Sequence, residues 1–187
     1  MSDDLSWSRH CTEICKQAYS RLSMLTRLKY VGTTIEDLVE LYVLFIRSVT
    51  EYCSVVYHSR LTTEQTNKLE RIQKTCLKVI LGEMYVDYSS ALEMTGLASL
   101  ENRRLKRCLD FSLKCINHPR NMQMFPRNEV NPSYKIRNNE KFKVNFAKTS
   151  TYKKSTIPFC QRLLNQHFKK KKKWWHIVQF YYYYCEW

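Results

Sequence analysis

Along most of the first 119 residues, apolar side chains return at intervals of three and four, and glycine occurs at only three places in the whole chain. That combination restricts the fold more than any single motif. A sheet protein needs frequent reversals, and three glycines with four prolines in 187 residues do not supply them, so packed helices are expected. From Trp7 to Leu28 the residues Trp7, Cys11, Ile14, Ala18, Leu22, Leu25 and Leu28 fall on one helical stripe, with Arg9, Lys16 and Arg27 opposite. Gly32 offers the stop, and Thr34 with Asp37 the next start.

Ile35 to Val49 is apolar around nearly the whole cylinder, which predicts a central, buried helix, and Arg47 with Glu51 is read as a structural ion pair along it. Tyr52 to Arg60 admits two readings, a strand favoured locally by Val55, Val56 and Tyr57, or a helical continuation favoured by its flanks. Thr62 and Gln65 form a capping box that opens a helix to Ile80, with Leu69, Ile72, Cys76, Val79 and Ile80 inward. Ser90 with Glu93 caps a short helix that ends at Gly96, and Ser99 opens another to about Asn117, with Leu105, Cys108, Leu109, Ser112 and Ile116 inward. Beyond Pro119 the period dissolves. Phe142, Val144 and Phe146 alternate as in a strand, and Ile157 to Asn165 reads as a short docking segment.

The expected fold is therefore a mainly α helical bundle with an irregular basic C-terminal region. Its divisions are 1–119, a helical domain; 120–165, an irregular basic segment docking on it; and 166–187, a Lys/aromatic tail expected to be disordered. Charge follows the same division. Residues 1–119 carry 16 basic and 14 acidic side chains, net +2, and residues 120–187 carry 15 and 3, net +12. The second part suits a polyanion, either nucleic acid or an anionic membrane surface. No apolar leader follows Met1, no run reaches membrane-spanning length, and eight scattered cysteines in helix-core positions fit reduced thiols, which together point to an intracellular protein, cytoplasmic or nuclear. The stretch from Lys169 to Lys173 with Trp174, Trp175 and Tyr181 to Tyr184 has two readings: translation past an ancestral stop into A/T-rich sequence, or a membrane-surface anchor.

Catalysis lacks carriers in this sequence. Two-metal nucleotidyl transfer needs paired carboxylates, and the adjacent pair Asp3–Asp4 lacks the aromatic and small residues of a polymerase metal motif. His10, His58, His118, His167 and His176 begin neither a His-x-Asp triad nor a His-Glu-x-x-His site, and Gly32, Gly82 and Gly96 are isolated, which excludes a phosphate loop. Cys11 and Cys15 share a helix face with Trp7 and Ile14 and read as core thiols in preference to zinc ligands. No cofactor, metal or small-molecule ligand is expected. Two rows of cations remain, Lys68, Arg71, Lys74 and Lys78, then Arg103, Arg107 and Lys114. Each lies opposite an apolar stripe and is able to follow phosphates without reading bases, although a solvated helix face laced with Glu70 and Asp110 has the same pattern.

The run Leu5-Ser-Trp-Ser-Arg-His-Cys-Thr-Glu-Ile-Cys-Lys-Gln-Ala, with Arg21-Leu and Leu28-Lys29, resembles the region after the polymerase core in jockey-like non-LTR retrotransposon reverse transcriptases. So do Ile46-Arg47-Ser48-Val49, Glu51-Tyr52, Leu69-Glu70-Arg71-Ile72-Gln73-Lys74, Leu100-Glu101-Asn102-Arg103-Arg104 and Ser155-Thr156-Ile157-Pro158, and the resemblance spans about residues 5 to 165. Val56-Tyr57 stands where that family commonly has Pro-Trp, and everything after Asn165 departs from it. The resemblance implies a thumb-like helical body, without the catalytic palm, that grips an RNA, DNA or RNA–DNA hybrid duplex weakly and without sequence preference. Trp7 to Gly32 is also similar to the N-terminal region of the AlkB-type tRNA methyltransferase family, which implies oxygenase or methyltransferase chemistry. The iron triad and Gly-rich cofactor loop that such chemistry uses are missing from the sequence. A protein-interaction or membrane-peripheral module is the alternative from another class.

Overall fold

The computed structural model describes residues 6–128 and 140–184, with side chains described as far as Lys170; Asp3, Asp4 and most of the aromatic tail's side chains lie outside that range. The chain is mainly α-helical, with no strand among the described residues. It divides into two compact units, Met1–Arg107 and Cys108–Trp187, so the boundary falls within a helix and not at Pro119.

In the first unit, α1 (Ser8–Tyr30) packs chiefly on α5 (Thr63–Leu81). The stripe expected on α1 is the one that is buried: Cys11, Ile14, Ala18 and Leu25 are inside, and Trp7, Leu22 and Leu28 pack at its edges. Opposite them, α5 buries Leu69, Ile72, Cys76, Leu77 and Ile80, each large aliphatic side chain contributing roughly 1.5–3 kcal/mol on removal from water. The Thr62–Gln65 capping box forms in both directions, Gln65 N–H donating to Thr62 Oγ1 at 3.2 Å and Thr62 N–H to Gln65 Oε1 at 3.0 Å. Gly82, at a φ of 57°, ends the helix where a side chain would be strained.

The apolar stretch after Thr34 is less buried than its composition suggests. It forms α2 (Ile35–Leu41), a π-helical turn (Tyr42–Arg47) and α3 (Ser48–Glu51), and its buried side chains are the line Leu38, Tyr42, Ile46 and Thr50 together with Glu51. Leu44 and Phe45 are exposed. The wide π turn rotates successive side chains by less than the usual angle, so one narrow line keeps facing α1 and α5 while its neighbours swing to solvent. Tyr42 is fixed inside by its hydroxyl, which donates to Gln73 Oε1 at 3.0 Å; the same amide's Nε2 donates to the Ala98 carbonyl at 3.1 Å.

Between Tyr52 and Arg60 the chain is helical, not extended. Cys53 takes a left-handed conformation, φ 53°, which breaks the helix and lets α4 (Ser54–Tyr57) and a 3-10 turn (His58–Arg60) start in a new direction. Further on, α6 (Tyr88–Thr95) starts earlier than expected: Asp87, not Ser90, is its cap, accepting from Ser90 N–H at 2.9 Å and Ser90 Oγ at 3.0 Å. Gly96 closes it at a φ of 64°.

α7 (Leu100–Asn117) begins at Ser99 as the sequence predicts, and of its expected inward set Cys108 and Ser112 are buried and Leu109 and Ile116 pack at the edge, whereas the first turns bury Leu100 and Arg104 in place of Leu105. Leu100, Arg104, Cys108, Ser112 and Cys115 are the buried set, while Leu105 is exposed. The second unit builds a smaller core from Cys115, Phe125, Phe142, Cys160 and Leu164. The expected strand at Phe142 to Phe146 is reduced to a single bridge between Arg127 and Phe142, and Phe146 is exposed. Two backbone bonds flank the bridge, and an amide satisfies the Phe142 backbone itself: Asn165 Oδ1 accepts from Phe142 N–H and its Nδ2 donates to the Phe142 carbonyl, both at 2.9 Å. After α8 (Ser150–Lys153), α9 runs over Thr156–Tyr184 and takes in residues 166–184 of the tail expected to be disordered, whose last three residues lie outside the described ones. Pro158 sits in the first turn, where its missing N–H costs nothing, and no glycine or proline follows it.

Candidate nucleic-acid interface

α5 turns its sequence into a surface with two distinct sides. Because Leu69, Ile72, Cys76 and Ile80 face the core, Lys68, Arg71, Lys74 and Lys78 are carried to solvent, spread over about 15 Å of helix. All four are exposed, as the sequence predicts, but their surroundings differ. Lys68 Nζ lies 2.8 Å from Glu64 Oε1, an exposed pair that salt readily screens. Lys74 Nζ sits 4.9 Å from the centroid of the Tyr88 ring and Lys78 Nζ 5.4 Å from that of Tyr85, so two of the ammonium groups ride on aromatic faces supplied by α6 and the turn before it. Those contacts steady the lysines without neutralising them.

Glu70, on the same helix, is not part of a solvated lacework. Its Oε1 accepts from Leu100 N–H at 3.1 Å and from the Tyr88 hydroxyl, and its Oε2 from Glu101 N–H at 3.3 Å. A carboxylate here satisfies the free N–H groups at the start of α7 and opposes the positive end of that helix. Burial and the neighbouring carboxylate hold the Tyr88 hydroxyl well above its ordinary range.

The α7 row is not a free row. Arg103 and Arg107 both turn onto Glu51, whose carboxylate is 2% exposed. Arg103 grips it side-on, Nε to Oε1 and Nη2 to Oε2 at 3.1 Å. Arg107 Nη2 reaches Oε2 at 2.7 Å, and its Nη1 the Glu51 backbone carbonyl at 3.4 Å. The Arg47–Glu51 pair is present but is the loosest of the three, at 3.9 Å. Hydrogen bonding to Glu51 raises Arg103 above the ordinary guanidinium range, while burial, with Arg103 close by, lowers Arg47. Arg103 and Arg107 keep 30% and 48% of their side-chain surface exposed. Lys114 is exposed and belongs to the second unit.

Arg104 faces the opposite way from its two neighbours. It is fully buried, and among the described residues Nε, Nη1 and Nη2 have no hydrogen-bond acceptor. Burial, with a smaller contribution from Arg104, depresses His58 to a pKa of about 4. Trp7, His10 and Tyr57 stack into the same unit with ring centroids 5.1–5.9 Å apart, and the Tyr57 hydroxyl donates to the Thr50 carbonyl at 2.6 Å. A cavity of about 540 Å³ opens beside them, its charged lining Glu13 and Arg21 of α1, with His10, Ser48, Val49 and Tyr52 also around it. Its mixed charges point to no single ligand class.

The thiols are poised for packing. Burial pushes Cys11 up to about 11 and Cys76 up to about 12, and raises Cys15, Cys115 and Cys160, so these groups stay protonated and weakly nucleophilic at neutral pH. None of the seven described cysteines is in a disulfide, and no group of three His, Cys, Asp or Glu side chains arranged to hold a metal occurs among the described residues. No helix among the described residues is long and apolar enough to cross a membrane. No protein-family model, curated protein or solved structure matches the chain.

Glu51 is the functional candidate that sequence reasoning missed. Read locally, it is one charge four residues after Arg47. Its closer partners lie 52 and 56 residues away on α7, and only the folded chain brings them to it.

Proposed function

We propose that this chain is a non-catalytic, helical remnant of a retrotransposon reverse transcriptase that binds nucleic acid weakly and without sequence preference, through phosphates. The observation that carries this reading is the α5 face: four exposed cations in line, two of them seated on tyrosine rings, on a helix whose other side is anchored in the core. Such a face presents charge at fixed spacing and offers no set of paired donors and acceptors for reading bases. The half-exposed guanidinia of Arg103 and Arg107 add donors in the fork geometry that suits phosphate oxygens. The absence of catalysis rests on the sequence, in which neither adjacent acidic pair, Asp3–Asp4 or Glu36–Asp37, has a polymerase metal motif around it. The same reading keeps the protein inside the cell, where its thiols stay reduced.

The test is a fluorescence-anisotropy titration of an RNA–DNA hybrid at several salt concentrations. Neutralising about four to six phosphates gives a slope of log K against log salt of roughly −3 to −5. Binding that ignores salt, or that prefers one sequence strongly, contradicts the proposal.

A further inference from the structure

We propose that Glu51 positions Arg103 and Arg107 as a preformed phosphate clamp, so that a buried acid strengthens the binding of a polyanion. This inference rests on the nucleic-acid reading above and names the group that organises part of that site. One carboxylate is surrounded by three guanidinia, Arg47, Arg103 and Arg107, which leaves a local excess of two positive charges. A structural ion pair requires only one partner. The surplus is costly wherever solvent is scarce, and an incoming anion offsets it.

The geometry shows how the clamp works. Each guanidinium has more N–H donors than Glu51 accepts from it. Glu51 holds Arg103 along its Nε–Nη2 edge and Arg107 along its Nη edge, and the rest of each half-exposed group remains for a ligand. Free arginine side chains lose about 2 kcal/mol of rotamer entropy when fixed, and here that loss occurs on folding, before any ligand arrives. The acid is itself fixed. It ends α3 immediately before the Cys53 break, is 2% exposed, and is backed by Thr50, whose carbonyl is tied to the buried Tyr57 hydroxyl. Arg103 and Arg107 are four apart on α7, so both project from one side of a rigid rod. The ligand that fits is a phosphodiester backbone, whose oxygens accept from planar forks.

If charge alone governs binding, Glu51→Gln removes a repulsive anion and tightens binding to the hybrid. A positioning role predicts the reverse, a weakening on the order of tenfold, with the salt slope shallower by about one to two contacts. The double variant Arg103→Lys/Arg107→Lys keeps the charge count but loses the forks, so it too should weaken binding by several-fold. All proteins are full-length, assayed with the RNA–DNA hybrid, and checked for helicity by circular dichroism. Lys74→Ala serves as the reference for a simple loss of charge.

If wild type fails to bind the hybrid, the nucleic-acid reading fails and the clamp with it. If wild type binds and Lys74→Ala weakens it while Glu51→Gln is unchanged or tighter, the clamp is overturned and the general reading stands. Should Glu51→Gln lose its helicity, the double lysine variant decides: unchanged affinity and slope overturn the clamp, and a several-fold loss supports it.

Discussion

Replacing Glu70 tests the packing that sets the direction of α7 and so the placement of its arginines. In the native chain this carboxylate accepts from two backbone N–H groups at the helix start and from the Tyr88 hydroxyl. Glu70→Ala strands all three donors in a half-buried setting where water replaces them only in part. Losing a capping acceptor costs about 0.5–2 kcal/mol, and a hydrogen bond to a charged group about 1.5–3. Their overlap and partial rehydration bring the expected loss to about 2–4 kcal/mol. Glu70→Gln retains one carbonyl oxygen and forfeits the charge, so it should lose about half as much. Urea unfolding followed by far-UV circular dichroism reads both, and the dependence on denaturant should keep its wild-type slope, since the buried surface is unchanged. Glu64→Ala is the contrast. That acid pairs with exposed Lys68 at the surface, and its removal should leave the midpoint in place. A Glu70→Ala protein within about 0.5 kcal/mol of wild type, the range of ordinary surface substitutions, would refute the reasoning.

Two further outcomes follow from the buried cations and histidine. His58 has its pKa depressed from 6.5 to about 4 by burial and by Arg104, so the unfolded chain binds its proton first as pH falls. Stability contributed by neutral His58 is complete above pH 6.5 and declines toward pH 4, by about 1–2 kcal/mol once solvent screening of a partly exposed group is allowed for; unfolding midpoints that stay level from pH 7 to 4.5 would contradict this. Arg104→Met replaces a buried cation that has no acceptor among the described residues with an apolar side chain of similar length. It should raise stability by about 1 kcal/mol or more, and a loss of stability in the same unfolding assay would show that the guanidinium is stabilising where it lies.

The elements legible in the sequence are those whose cause is local. The α1 stripe, the Thr62–Gln65 box, the Thr34 cap and the stop at Gly96 each depend on residues within one or two turns, and each appears in the structure. Ser90 shows the limit of that reasoning. Its pairing with Glu93 matches a capping pattern, yet Asp87 three residues earlier offers a stronger acceptor and takes the N-cap. On α7 a period drawn through Leu105 is as regular as one through Arg104, and hydropathy favours the leucine. The stripe through Leu100, Cys108 and Ser112 nevertheless carries Arg104 inward. The candidate site was half legible for the same reason. Exposure of Lys68, Arg71, Lys74 and Lys78 follows from the phase of one helix, whereas the capture of Arg103 and Arg107 by Glu51 depends on contacts more than fifty residues apart. Tyr85 and Tyr88 beneath the lysines are likewise products of how α6 folds back on α5.

Charge reversal on α5, compared with removal of the basic tail, separates a helical phosphate grip from a general attraction of basic residues. Hybrid affinity should be measured across a salt series for wild type, for Arg71→Glu/Lys74→Glu, and for a chain ending at Asn165. The account predicts that the reversal lowers affinity by at least tenfold at low salt and flattens the slope by about two contacts, while the shortened chain keeps most of both. Affinity and slope that survive the reversal and vanish with the tail would contradict it.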